Sequence, residues 1–122
     1  MTLTELYQEI DGSYEQATKV LRMDKLIDKH IRKFPKGGVP EAVIAAGGTM
    51  DPTALFESAH GMKGVCSNLG LTALAELASA VAEEFRPGKP RKLSDAEVKE
   101  ILAKIETLYQ KTADSIRRYE EE

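Results

Sequence analysis

Asp51-Pro52-Thr53-Ala54-Leu55-Phe56-Glu57-Ser58-Ala59-His60-Gly61-Met62-Lys63-Gly64-Val65-Cys66-Ser67-Asn68-Leu69-Gly70 is the stretch on which the fold turns. Asp51 is a good N-cap residue, and the proline after it suits a first helical turn, where its missing N–H would have no partner in any case. The next break is Gly70, so the spacing predicts one long helix over 52–69. Along it Leu55, Ala59, Met62, Cys66 and Leu69 recur at alternating steps of four and three. That spacing lays apolar side chains along one face, to be buried against neighbouring helices.

The same grammar runs outward in both directions. After Gly70, the residues Leu71, Leu74, Ala78, Val81 and Phe85 repeat the pattern up to the break Arg86-Pro87-Gly88-Lys89-Pro90. Ser94-x-x-Glu97 is a strong capping box, and Val98, Ile101, Ile105, Leu108, Thr112 and Tyr119 continue behind it in a helix reaching about Tyr119. Toward the N-terminus, Thr2-x-x-Glu5 and Ser13-x-x-Gln16 also read as capping boxes. They open short helices over 3–11 and 14–22, parted by Gly12. Asp24 is placed to cap a further helix to about Phe34, with Ile27, Ile31 and Phe34 on one side, until Pro35-Lys36-Gly37-Gly38 ends it. Pro40 suits the first position of a short helix with Val43 and Ile44 on its apolar side, terminated by Gly47-Gly48. No stretch sustains the period-two alternation of a strand. The expected fold is all-α, an antiparallel up-and-down four-helix bundle with short extra N-terminal helices.

Composition bounds the function. The 122 residues are one domain's worth of sequence, with 42% hydrophobic and 30% charged residues, an ordinary globular balance. Seventeen Lys and Arg against 20 Asp and Glu give a formal charge of −3, the wrong sign for nucleic-acid binding. Cys66 is the only cysteine, so neither an intrachain disulfide nor a multi-cysteine metal site can form. Met1-Thr2-Leu3-Thr4-Glu5 is polar and acidic where a secretory signal would be basic and then apolar, and no apolar run approaches the ~20 residues of a membrane span. These features lead us to expect a cytoplasmic protein without membrane association.

The chemistry concentrates on the 52–69 helix. At about 100° per residue, His60 points roughly 140° away from the apolar face and should be exposed. Phe56 and Glu57 lie one turn before it, with Lys63, Gly64 and Ser67 after it. Gly64 in mid-helix costs about 1 kcal/mol relative to alanine and leaves a dent beside the imidazole, where a partner surface can approach. Lys63 places an ammonium where it can balance negative charge next to the ring. A neutral imidazole is a competent nucleophile near neutral pH. An isolated surface histidine needs no role, but stability asks for neither the lysine nor the glycine at these positions.

The run Ala59-His60-Gly61-Met62-Lys63-Gly64-Val65-Cys66-Ser67-Asn68-Leu69-Gly70 resembles the motif of histidine-containing phosphotransfer (HPt) domains, roughly A-H-x-L-K-G-x-x-x-x-L-G. A looser resemblance extends over residues 14–86. It implies a single HPt-like domain over 1–122 that accepts a phosphoryl group on His60 from a receiver-domain aspartate and passes it to another receiver. Lys63 would be the electrostatic partner and Gly64 the small residue that admits the receiver, with Phe56, Glu57 and Ser67 as docking residues. The resemblance implies a phosphoryl carrier rather than an ATP-dependent enzyme. Its partners would be response-regulator receivers and a hybrid histidine kinase, with no cofactor of its own and Mg²⁺ supplied by the receiver. The sequence departs from the family pattern twice: Gly61 stands where a larger residue is usual, and Met62 replaces the common leucine.

Other readings carry less. Gly61-Met62-Lys63-Gly64 fits the G-x-x-G loop of KH domains, but that loop needs a βααβ setting and a basic surface. No phosphate-cradling G-x-x-x-x-G-K-[ST] loop is present. His30 reads as a boundary histidine and Cys66 as a small buried hydrophobe. Asn68, roughly 80° round the helix from His60, reads as a surface or helix-end polar residue. The alternative from another class is a helical docking module for receiver domains that does not turn over phosphate.

Overall fold

A computed structural model describes all 122 residues as seven α-helices and one 3₁₀ turn, with no strand. The helices are α1 (Leu3–Glu9), α2 (Tyr14–Leu21), α3 (Asp24–Lys33), α4 (Val39–Thr49), α5 (Pro52–Asn68), α6 (Thr72–Glu84) and α7 (Asp95–Glu121), with the 3₁₀ turn at Phe34–Lys36. Helices α4 to α7 form the expected four-helix bundle, in which each packs on two neighbours, α4 on α5, α5 on α6, α6 on α7 and α7 back on α4. Helix α1 lies on α7, α2 on α5, and α3 bridges α2 and α7. No helix is long and apolar enough to cross a membrane.

Local chemistry starts and stops these helices. The Thr2–Glu5 and Ser94–Glu97 capping boxes form in both directions. Ser13 accepts from the Gln16 amide without the reciprocal bond of a full capping box, its own amide being taken by the Gly70 carbonyl, and Asp51 accepts from the Ala54 amide at 3.2 Å. The apolar stripes go where their spacing sends them: Leu55, Ala59, Met62, Cys66 and Leu69 are all buried, as are Leu71, Leu74, Ala78, Val81 and Phe85. On α7 the buried stripe is Val98, Leu102, Ile105, Tyr109, Thr112 and Ile116, whereas Ile101, Leu108 and Tyr119, expected on it from spacing, are half-buried at its edge.

Four expectations need correction. Helix α4 does not stop at Gly47-Gly48 but runs through to Thr49, with Met50 in the left-handed region as its cap. Gly47 serves a close crossing instead, since a Cβ there would lie 2.4 Å from Leu102 Cδ1 of α7. Asp24 does not cap α3. Met23 takes that position, and the Asp24 carboxylate accepts a hydrogen bond from the Tyr14 hydroxyl. Helix α1 ends at Glu9 rather than at residue 11, and Asp11, φ 53°, makes the turn ahead of Gly12. Gly12 is small because a Cβ would meet Tyr7 Cδ2 at 2.9 Å and the Gly70 carbonyl at 3.0 Å. His30 is exposed rather than at the boundary.

Two straps fix the frame around α5 and α6. At the C-terminal end of α5, the buried Tyr7 hydroxyl donates to the Leu69 carbonyl at 2.6 Å, and the Ser13 amide donates to the Gly70 carbonyl at 2.7 Å. Gly70 has φ 71°, a backbone conformation that suits glycine, and it makes the α5–α6 turn tight enough for these contacts. At the other end of α6, the buried Glu84 carboxylate accepts from the Leu93 amide at 2.9 Å, the Lys92 amide at 3.2 Å and Arg91 Nε at 3.1 Å. Burial alone would push this carboxyl up, but the amides of Leu93 and Lys92 together with Arg91 outweigh it and hold it below the usual range. The loop into α7 is thereby pinned to α6.

Candidate functional site

With its apolar face buried, α5 has only its outer face free. His60 is exposed there. Its ring stacks on that of Phe56, one turn earlier, with centroids 5.4 Å apart and planes 18° from parallel. Phe56 is half-buried and packs against the core, so one side of the imidazole rests on a ring anchored in the bundle. Lys63 is half-buried and joins none of the chain's ion pairs, which leaves its charge uncompensated beside His60. Glu57 is exposed and Ser67 half-buried, on the same outer face by helical spacing.

The glycines give this face its shape. A Cβ added at Gly64 or at Gly61 would meet nothing within 4 Å. Neither glycine is required by the packing of this chain, and the surface beside His60 is correspondingly low. Cys66, on the inner face of the same helix, is buried, and burial pushes its thiol up to about 12, so it is no nucleophile at neutral pH.

Sequence reasoning missed a neighbour. The Arg86 guanidinium, just past the end of α6, lies 5.5 Å from the centre of the Phe56 ring. It is held by Glu83, whose Oε1 accepts from Arg86 Nε at 3.1 Å and Nη2 at 2.5 Å, while Glu83 Oε2 pairs with Lys89 at 3.1 Å. On another part of the surface, a groove of about 410 Å³ is lined by Leu21, Phe34, Val39, Val65 and Leu69, with His30, Lys33 and Asn68 among its polar walls. His60 does not line it.

The family model of the Hpt domain matches residues 3–114, which takes in the whole of α5 and the bundle around it. The chain belongs to the Hpt domain family. No curated protein and no solved structure matches it. Hpt domains are phosphotransfer carriers of two-component signalling, modules without an ATP-binding kinase domain that work with receiver domains and histidine kinases. In this Hpt domain the two departures from the motif have different consequences. Met62 is fully buried in the core, where methionine replaces leucine at similar volume. Gly61 faces open space, so its cost is helix propensity and not packing.

Proposed function

We propose that this Hpt domain carries its phosphoryl group on His60, taking it from a receiver aspartate and returning it to another. The observation that carries this reading is an exposed imidazole stacked on Phe56, beside an unpaired lysine and a face with no side chain at Gly64. The distal ring nitrogen, unprotonated, directs its lone pair at the phosphorus of the aspartyl phosphate. The N–P bond forms as the P–O bond to the carboxylate breaks, and the carboxylate leaves with the bonding electrons. Charge in this loose transition state is spread over the phosphoryl oxygens, where Lys63 can offset it and the receiver's Mg²⁺ can do the same from the other side. Onward transfer is the same step reversed onto a second carboxylate.

Gly64 admits the receiver's surface in this reading, and Phe56, Glu57 and Ser67 contact it. The bundle contributes stiffness: a nucleophile on a rigid helix need not be oriented afresh at each encounter. The proposed setting is the cytoplasm, in keeping with a single buried thiol and no disulfide.

The test is incubation of the protein with phosphorylated receiver domains and Mg²⁺, followed by a search for an acid-labile, base-stable adduct. Adduct on the wild type and none on His60→Gln is the expected result. No adduct from any receiver that binds the folded protein would leave a docking module without phosphate turnover.

A further inference from the structure

We infer that Arg86 is a positioning residue for His60, acting through the ring of Phe56. Three planar groups are linked in sequence: the guanidinium of Arg86 is 5.5 Å from the Phe56 ring centre, and that ring is stacked on the imidazole at 5.4 Å. The first group belongs to the end of α6 and the other two to α5, so the chain of contacts ties the orientation of the imidazole to a second helix.

Glu83 engages Arg86 at the edge of its guanidinium. Its carboxylate holds Arg86 through two nitrogens and holds Lys89 as well, and these partners, Arg86 first, bring its carboxyl down to about 2. The Glu83–Arg86 pair is exposed and local to one helix end, the kind of ion pair that contributes little to folding. Its tertiary consequence is the contact it fixes on Phe56. Arginine suits this place because its plane can lie against a ring while its edge is engaged by a carboxylate, which an ammonium cannot do. An exposed imidazole otherwise turns about its Cβ–Cγ bond among several orientations. A ring held against it limits that freedom.

The kinetic consequence rests on His60 being the phosphoryl acceptor, whereas the geometric one does not. The full chain is compared as wild type, Arg86→Ala, Arg86→Lys, Phe56→Leu and the Arg86→Ala/Phe56→Leu double variant. Nuclear Overhauser contacts between the Phe56 and His60 rings report the stack without any phosphate. Phosphorylation by phosphoramidate reports the nucleophile without a docking partner, and a phosphorylated receiver reports the complete exchange. We expect Arg86→Ala to weaken the ring–ring contacts and slow phosphoramidate labelling about threefold, the scale of one exposed cation–π contact, with the protein still folding cooperatively and its stability lowered by no more than that contact's worth. Arg86→Lys should restore little of the loss. The double variant should be no slower than Phe56→Leu alone, because one residue acts through the other.

Wild-type ring contacts and labelling rate in Arg86→Ala would overturn the inference. So would a loss confined to the receiver reaction, which would place Arg86 on the docking surface instead. If no variant and not even the wild type takes phosphate from either donor, the acceptor role of His60 falls, and the ring contacts still decide the role of Arg86.

Discussion

A Cβ added to Gly70, at the end of α5, would lie 2.1 Å from the Ser13 carbonyl oxygen, whereas one added to Gly64, in the middle of the helix, would meet nothing within 4 Å. Both glycines belong to the same twelve-residue motif, 59–70, and in sequence they look alike. Their surroundings differ in kind. Gly70 is required by this chain's own backbone, where two peptide segments touch and φ is positive. Gly64, like Gly48 and Gly61, is required by no contact inside the molecule, and in the proposed function its absent side chain leaves room for the receiver.

The sharpest way to break this comparison is Gly70→Ala. Left-handed strain and a backbone clash together should cost more than about 2 kcal/mol in urea unfolding, and a near-normal midpoint would mean that the α1–α2 junction is not anchored there. Next is Glu84→Gln, which should cost about 1–2 kcal/mol at neutral pH by weakening the strap on the α6–α7 loop. Its pH dependence has a definite sign. The folded carboxyl lies below its unfolded value, so its contribution is complete above the unfolded pKa and is lost as pH falls through the lower folded one. The gap between variant and wild type should therefore close on acidification. Gly47→Ala comes third: about 1 kcal/mol or somewhat more, since the obstructing atom is the flexible end of Leu102, and most of the loss should be recovered in Gly47→Ala/Leu102→Ala relative to the sum of the singles. The smallest effect on stability, and the only one of opposite sign, is at Gly64. Gly64→Ala should raise stability by about 0.5–1 kcal/mol while slowing exchange with a receiver and sparing labelling by phosphoramidate. Equal loss with both donors would show that alanine disturbs His60 itself and not the approach of a partner.

What the sequence disclosed and what it withheld follow from the range of the interactions. Helix starts were legible because a cap is a contact between residues three apart, as at Thr2–Glu5, Asp51–Ala54 and Ser94–Glu97. The burial of the α5 and α6 stripes was legible because helical geometry fixes which positions share a face. Gly47-Gly48 was misread as a stop because its cause is Leu102, on a helix whose register against α4 no local pattern specifies. Asp24 was misread because a hydroxyl from α2 competes for its carboxylate. The same division runs through the site. His60, Lys63 and Gly64 lie on one helix at fixed spacing and could be placed together from sequence, whereas Arg86 reaches Phe56 from the end of another helix, at a height set only when α5 and α6 have packed.

Cys66 gives the helix that bears His60 a clock of its own. Its thiol is sealed in the bundle and protonated at neutral pH, so a thiol-specific dye can react only during those moments when α5 lifts from its neighbours. With no second cysteine to confuse the signal, the labelling rate reads how often the bundle breathes at this helix. The unaltered chain can thus report whether binding a receiver, or carrying a phosphoryl group on the opposite face, quiets that motion or loosens it.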